Sequence, residues 1–374
     1  MWKTSEGSTG RLIQLCLGYF IFYVITGVSV KFFTGSVDLG FPGMKETEYL
    51  VYSTIGGSLI CLAVVFALRW YRLASNRMIE FAGMRFPQEV LYIFPSGICT
   101  AIVIPTTTLM YTLPISVMVA MVIMRSSVII ISRVVDAVQI RKGILTKRVY
   151  REENIAVVFA LCAAAVNIGW VGEGDFEFVH STAAMTILGS YIVAYAIRIY
   201  IMNYYKNTRA KGVKLDNNGF FAIEQIFASL VMLAVGIVLF QSLNLFGTSN
   251  TQIALFHESL ANPRPLWMLA IVVGFAYGLV AFFSVFIFMF KGRTATFAGL
   301  VNRLTSLVAG TTATLVSAIV FGGKFPKIQD WVSLVFILVA VGFLSLAERK
   351  RTAELASTRE VIIPAGGIVA PGKA

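Results

Sequence analysis

Long apolar segments are the sequence feature that most constrains the fold of this chain. A run of about 20 apolar residues lets one helix cross the hydrocarbon core of a bilayer. Of the 374 residues, 57% are hydrophobic and only 13% are charged, whereas a soluble domain has about 25% charged residues. The sequence therefore predicts an all-α membrane protein with ten transmembrane helices. The predicted spans are 12–34, 50–69, 88–111, 114–135, 154–171, 181–203, 220–240, 266–290, 294–321 and 329–346.

Basic residues are unevenly divided between the two predicted sides of the membrane. With the N-terminus in the cytoplasm, 23 of the 31 Lys and Arg residues fall in cytoplasmic segments and 4 fall in the opposite loops. Such asymmetry sets the orientation, and an even number of spans places both termini in the cytoplasm. The net charge of +12 then requires no nucleic-acid partner. A bacterial inner membrane and a Golgi-type endomembrane are both compatible with this prediction.

Matching spacings in the two halves indicate an internal repeat. Val157-Val158-Phe159 ends 34 residues after Arg125, and Leu334-Val335-Phe336 ends 33 residues after Arg303. Five spans per half is an odd number, so the second copy would be inverted in the membrane, an arrangement found in transporters. We therefore predict two inverted five-helix repeats and a disordered cytoplasmic tail that lacks a long apolar run. These units are residues 1–172, 173–346 and 347–374, respectively.

Two arginines lie deep in predicted spans, Arg125 in the fourth and Arg303 in the ninth. An arginine at the bilayer centre costs roughly 2.5–3.5 kcal/mol on insertion scales, so it usually has a partner or a function. The spans contain no two deep carboxylates to neutralise this pair. Because the guanidinium fork fits phosphate oxygens bidentately, we predict that both arginines face a central cavity and bind an anion. Hydrogen bonding to backbone carbonyls of neighbouring helices is the structural alternative.

Three further charged residues have predicted roles in gating or coupling. Arg198 and Glu224 each lie about five residues from a cytoplasmic helix end, so we expect them to pair as a salt bridge or a gate latch. Lys31 lies near the outer end of the first span, where a lysine either extends its ammonium group to the interface or contacts substrate.

Several uncharged polar residues are candidates for contacts with the rest of the substrate, although ordinary packing explains each tyrosine equally well. The sequence contains no HExxH, G-x-S-x-G or Walker motif, and its two histidines are too few for a metal site. We therefore expect neither an enzyme nor a bound cofactor. The candidate substrate contacts are Tyr23, Thr108, Tyr191, Tyr195, Tyr277 and Asn302.

With its ten predicted spans in two inverted halves, the chain resembles the drug/metabolite transporter superfamily, and within it the nucleotide-sugar and triose-phosphate translocators. In the ninth span, Gly299-Leu300-Val301-Asn302-Arg303 is similar to the Gly-Ala-Leu-Asn-Lys motif of GDP-mannose transporters. The resemblance covers about residues 12–346. It implies that Arg125 and Arg303 hold phosphate and that transport is by exchange. The Phe-Tyr-Asn-Asn motif of GDP-mannose transporters is replaced by Asn217-Asn218-Gly219-Phe220-Phe221, which argues against guanine recognition.

The leading hypothesis is a secondary active transporter, an antiporter of a phosphorylated organic anion such as a nucleotide sugar or a sugar phosphate. Its partners would be a small anionic solute and membrane lipid, and its mechanism would be alternating access. One alternative is a proton-coupled exporter of general metabolites or amino acids that uses Glu224. A second is a non-transporting membrane scaffold or receptor.

Overall fold

The computed structural model describes residues 7–81, 83–112, 117–169, 181–210, 212–246, 250–322 and 325–362. Within these ranges the chain is almost entirely helical. The helices are α1 (Thr9–Phe33), α2 (Glu46–Ala67), α3 (Val90–Thr112), α4 (Val117–Arg141), α5 (Arg151–Gly169), α6 (Thr182–Asn207), α7 (Asn217–Phe246), α8 (Thr251–Ala261), α9 (Trp267–Phe288), α10 (Ala295–Phe321) and α11 (Ile328–Ile362), with a single turn of 3-10 helix at Val37–Leu39.

Eight of the described helices are long and apolar enough to cross a membrane, namely α1, α2, α3, α6, α7, α9, α10 and α11. The all-α membrane fold is therefore confirmed, while ten spans remain a prediction. The two other predicted spans, α4 and α5, carry more charge. Arg125, Arg133 and Asp136 lie in the interior of α4, and α5 begins with Arg151, Glu152 and Glu153.

The prediction of a disordered tail is wrong for residues 347–362, because α11 continues to Ile362. Two charged residues of this extension are buried against partners elsewhere in the chain. Glu348 pairs with Arg293, and Arg351 pairs with Glu153. The extension is also rich in Ala, Glu and Arg, which favour a helix, so its polarity alone did not indicate disorder. Residues 363–374 lie outside the described part of the chain.

Two small elements in the loops were not predicted. The basic loop between α2 and α3 contains an antiparallel hairpin of β1 (Met78–Phe81) and β2 (Met84–Pro87). The second element is α8, which begins where the Asn250 side chain accepts hydrogen bonds from the backbone of Gln252 and Ile253, as expected of an N-cap residue.

Helices α1 and α10 run in the same direction. Thr9 near the start of α1 donates to Glu348 beside the start of α10, and the rings of Phe32 and Phe321 meet at the other end, with centroids 5.7 Å apart. We call the end at which α1 and α10 begin the inner end, and the opposite end the outer end.

The helices pack into two bundles that each draw on both halves of the sequence. In the first bundle, α2 packs against α9, and α1 packs against α9 and α10. In the second bundle, α3 packs against α6 and α7, and α4 packs against α6. The α5–α11 pair lies beside them, with the rings of Phe159 and Phe343 stacked at 5.8 Å. The two bundles meet where α4 contacts α10 and where α2 contacts α3 and α7.

Glycine allows the closest helix contact, between α2 and α9. A Cβ atom at Gly274 would lie 2.6 Å from the carbonyl oxygen of Ser53, and one at Gly56 would overlap the carbonyl of Ile271. The sequence Gly56-Gly57-Ser58 in the second predicted span predicts a close-packing patch, and this contact confirms it. Small residues at such a contact let two backbones approach each other within a membrane, so α2 and α9 behave as one packed unit.

Candidate functional site

A cavity of about 410 Å³ opens between the bundles toward the outer end. Its volume lies within the range of roughly 300–1,000 Å³ that is usual for small-molecule sites. Hydroxyl groups line it from six helices, including Thr26 of α1, Ser53 of α2 and Thr311 of α10. Two predicted contact residues, Tyr23 and Tyr277, also lie in its wall.

Arg125 reaches the deep part of this cavity from α4. Its guanidinium lies against Gly310 of α10, where an added Cβ atom would be 3.4 Å from Nη2. Hydrogen-bond and ion-pair partners for this guanidinium are absent among the described residues. The cavity therefore contains a cationic fork whose donors are available to a ligand.

Arg303 is placed differently from the prediction, since it does not line the cavity. It lies on the same face of α10 as Gly310, seven residues nearer the inner end, which is about 10 Å along the helix axis. Only 8% of the residue is exposed, and its guanidinium carbon lies 5.1 Å from the centre of the Tyr195 ring. Facing arginines across one cavity are therefore not observed. Sequence position gives the depth of a side chain but not what covers it.

Three other predicted contacts surround Arg303 instead of lining the cavity. Tyr191 and Tyr195 are buried, and Tyr191 donates to the Met124 carbonyl oxygen at 3.3 Å. Asn302 is fully buried and donates to the Ser284 hydroxyl at 3.0 Å. Within this cluster, Arg303 Nε and Nη2 have no hydrogen-bond partner among the described residues. The side chain of Thr108, the remaining candidate, lies outside the described part of the structure.

The predicted pair of Arg198 and Glu224 is present. Arg198 donates from Nε and Nη2 to the two carboxylate oxygens of Glu224, both at 2.9 Å. Ser96 of α3 donates a third hydrogen bond to Glu224, at 2.6 Å. All three residues are buried, so the pair joins α3, α6 and α7 within the second bundle.

Three charged residues stand at the outer mouth of the cavity: Lys31 of α1, Glu46 of α2 and Asp330 of α11. Lys31 and Glu46 are exposed. Asp330 is close enough to Lys31 to influence it electrostatically, but no ion pair within 4 Å is formed by Lys31 in the described structure. The mouth thus holds opposite charges that are not in contact.

The inner end is closed by buried polar contacts that the sequence analysis missed. Arg293, only 1% exposed, donates to Glu348 from Nε at 2.8 Å and also from Nη2. Asp136 of α4 accepts from the backbone amides of Ala295 and Thr296 at 2.8 and 2.7 Å. A carboxylate is favourable there because helix N-termini carry unpaired amides and a partial positive charge. These contacts join the α9–α10 connection to α4 and α11.

The basic surface around this closure is crowded with like charges. Burial, together with Arg351 and Arg293, lowers the pKa of Lys147, in the loop between α4 and α5. Sequence alone assigned Arg293 and Lys147 only to the excess of basic residues on one side. The signal for this closure is the acidic residue Glu348, which lies in the segment predicted as a disordered tail.

Comparisons with known proteins inform the fold more than the function. No sequence profile of a known protein family matches the chain, and no curated protein sequence matches it. A solved structure described as "Crystal structure of protein" aligns with 92% of this chain and 99% of its own length, at a TM-score of 0.54 and 13% identity. At this identity the similarity concerns the fold alone.

The apolar helices and the fold define an all-helical protein of the multi-pass membrane class. Within that class, the architecture is compatible with a transporter.

Proposed function

We propose that this protein is a secondary active transporter of a phosphorylated organic anion, related in mechanism to the drug/metabolite transporters that the sequence resembles. The observation that carries the proposal is the Arg125 guanidinium, which faces the cavity without a described partner. A charged group at membrane depth is energetically costly, so such a group usually has a function. An anion that enters from the outer end would meet a bidentate donor there.

The packing of the helices supports the inverted repeat. If the five spans of the first half correspond in order to α6, α7, α9, α10 and α11, then α2–α9 corresponds to α7–α3, and α1–α10 corresponds to α6–α4. Each of these pairs is packed together. Phe159 and Phe336, which the sequence assigned to equivalent positions, have ring centroids 6.3 Å apart. Residues at equivalent positions of two repeats come into contact when they lie near the twofold axis that relates the repeats.

Alternating access is supported by the difference between the two ends. The outer mouth exposes Lys31 and Glu46, whereas the inner end is closed by Arg293, Glu348 and Asp136. Closure of the mouth and release of these contacts would expose the same cavity to the other side. Arg303 lies below the cavity floor, toward the inner end, so we propose that its unpartnered donors receive the anion when that end opens.

Exchange follows from the charge of the empty site. Neither Arg125 nor Arg303 forms an ion pair with a described carboxylate. A transporter without cargo would have to move both positive charges through the occluded state, so the empty form should reorient slowly. Loaded forms would reorient faster, which produces antiport.

The proton-coupled alternative is less well supported. Glu224 is held by two donors of Arg198 and by Ser96. It does not line the cavity, so a proton bound there would not be coupled directly to a solute in the site. The observed contacts therefore favour a structural latch within the second bundle.

Binding measurements on the purified protein test the proposal. Glucose 6-phosphate should raise the melting temperature of the wild type, because a ligand stabilises the folded state by RT ln(1+[L]/Kd). Arg125→Ala should weaken binding about tenfold to a hundredfold, since a hydrogen bond to a charged group contributes about 1.5–3 kcal/mol. Arg133→Ala is the matched control, because Arg133 lies on the same helix but contacts Asn154.

Counterflow in proteoliposomes then tests transport. We expect uptake of labelled sugar phosphate only into vesicles that contain unlabelled sugar phosphate. Rapid efflux without an exchange partner would reject coupling. A scaffold or receptor would show neither a shift with any phosphorylated solute nor counterflow, and equal binding by Arg125→Ala and wild type would remove Arg125 from the site.

A further inference from the structure

The charges of the cavity are separated along its depth. Arg125 is the one charged residue that lines the deep end among the described residues, whereas Glu46 and Asp330 share the mouth with Lys31. These four groups have a net charge of zero, with one positive charge deep and one negative charge in excess at the mouth. A solute with several negative charges is poorly matched to this arrangement.

The distance between the two charged regions follows from helix packing. The Arg125 guanidinium lies at the level of Gly310, and Gly27 of α1 lies at the level of Ala313, where an added Cβ atom would be 2.8 Å from the Ala313 Cβ. Lys31 is four residues farther out along α1. With a rise of 1.5 Å per residue, Lys31 lies about 10 Å outward of Arg125, and Glu46 and Asp330 share this mouth with it.

The two mouth carboxylates retain hydrogen-bonding capacity. Asp330 accepts from the Lys327 amide through Oδ2 at 2.9 Å, which fixes its position at the start of α11. No described group donates to its other oxygen. Glu46 forms no hydrogen bond or ion pair through its carboxylate with a described residue. Both carboxylates can therefore receive a hydrogen bond from a ligand.

From this geometry we infer that the cavity selects a zwitterion, a phosphate monoester whose phosphate reaches Arg125 and whose ammonium group lies near Glu46 and Asp330. This inference rests on the proposed function, because it requires the phosphate to bind at Arg125. It names amino-sugar phosphates and similar aminated phosphate esters as the substrate class. Diphosphate-linked nucleotide sugars are disfavoured by the mouth carboxylates.

Two sugar phosphates that differ in one group provide the test. Glucosamine 6-phosphate carries an ammonium group where glucose 6-phosphate carries a hydroxyl, and both carry the same phosphate. On the purified protein, we expect glucosamine 6-phosphate to bind about twofold to fivefold more tightly, because a charge pair at an exposed site contributes up to about 1 kcal/mol. The E46Q/D330N double variant should lose this preference, because Lys31 is then the one charged residue left at the mouth among the described residues.

The controls separate folding from recognition. Asparagine at position 330 keeps an acceptor for the Lys327 amide, and Glu46→Gln alone changes an exposed residue and should reduce the preference partly. Asp38→Asn removes a carboxylate from the loop between α1 and α2 that does not line the cavity, and it should leave the preference unchanged. Melting temperatures without ligand report whether each variant folds.

The possible results distinguish this inference from the proposed function. Equal binding of both sugars by the wild type, or an unchanged preference in folded E46Q and E46Q/D330N variants, would overturn the zwitterion inference and leave an anion transporter. The proposed function itself would be overturned if the wild type bound neither sugar phosphate and Arg125→Ala had the same melting temperature as the wild type in the presence of each compound.

Discussion

Neutralising Glu348 is expected to open the inner end. This carboxylate receives both donors of Arg293 and the hydroxyl of Thr9, so it ties α11 to the α9–α10 connection and to α1. In Glu348→Gln, the buried Arg293 keeps its charge but loses the opposite charge. The variant should therefore destabilise the conformation in which this pair is buried, and the proposed inward-open conformation should become more populated.

The size of the shift can be worked from the burial of the pair. Removing one partner of a buried ion pair costs about 3–5 kcal/mol, and the amide of glutamine keeps one acceptor, so we take the lower value. Since 1.4 kcal/mol is a factor of ten, about 3 kcal/mol changes the ratio of the two conformations by roughly a hundredfold. A distribution of about 99:1 in favour of the outward-open state would become nearly even.

Labelling of a cysteine at the outer mouth measures this change. Thr34 lines the cavity near its mouth, so Thr34→Cys can be placed in a variant whose four native cysteines are replaced by alanine. We expect a membrane-impermeant thiol reagent to label Thr34→Cys more slowly when Glu348→Gln is added. The control is Glu80→Gln, which breaks the Arg85–Glu80 pair on the hairpin, with side chains 76% and 59% exposed. Such an exposed pair contributes only about 0–1 kcal/mol.

Unchanged labelling would refute the reasoning, provided that Glu348→Gln remains folded by circular dichroism and by its melting temperature. That result would mean that Arg293 and Glu348 remain associated in all conformations. Their pair would then be a permanent structural contact, and the inner closure would have to rest on Asp136 and the start of α10.

Three further predictions concern stability. Glu224→Ala should lower the free energy of unfolding by about 3–5 kcal/mol, because it leaves Arg198 charged and buried without a partner; chemical denaturation in detergent measures this, and a change below about 1 kcal/mol would contradict it. Gly56→Leu should prevent folding, because the new side chain would overlap α9, whereas Gly189→Leu should fold, because an added Cβ atom there meets nothing within 4 Å. Size-exclusion profiles of the two variants test this difference, and a normal profile for Gly56→Leu would reject the close contact. Burial alone would raise the pKa of Glu89, but hydrogen bonds from Asn76 and Ser75 and the charge of Arg209 lower it below its ordinary value of 4.5. The stabilisation by Glu89 is therefore full above that value and is lost as the pH falls through the lower folded-state pKa. The wild type should lose more stability on acidification than Glu89→Gln, and parallel curves of melting temperature against pH would count against this assignment.

The features that the sequence predicted are those set by local pattern or by depth. Apolar runs located the long helices because a spanning segment must be about 20 residues long. Arg198 and Glu224 were paired because both lie at the same depth from one membrane face, and two buried charges at equal depth are most stable together. Gly56 and Gly57 indicated a close helix contact because a residue without a side chain is useful there.

The features that the sequence did not predict depend on contacts between distant segments. Arg303 and Arg125 lie at similar distances from their helix starts, but the surrounding tyrosines, including Tyr195, determine that Arg303 is covered and Arg125 is not. The end of α11 reads as a polar tail until Arg293, 55 residues earlier, is placed beside Glu348. Arg351 pairs with Glu354 one turn along α11, but its other carboxylate partner, Glu153, is 198 residues away. The composition around each residue does not predict contacts between residues so far apart in the sequence.

Because each bundle draws helices from both halves of the sequence, helix packing cannot be completed until the second half has been synthesised. Helix α2 emerges from the ribosome more than 200 residues before α9, which supplies its closest partner. At about 5–20 residues per second, the Gly56 surface waits roughly 10–45 seconds in lipid with no helix to cover it. The nascent first half is thus an assembly intermediate by geometry, and cellular factors that hold or degrade unpaired membrane helices would encounter it during every round of translation.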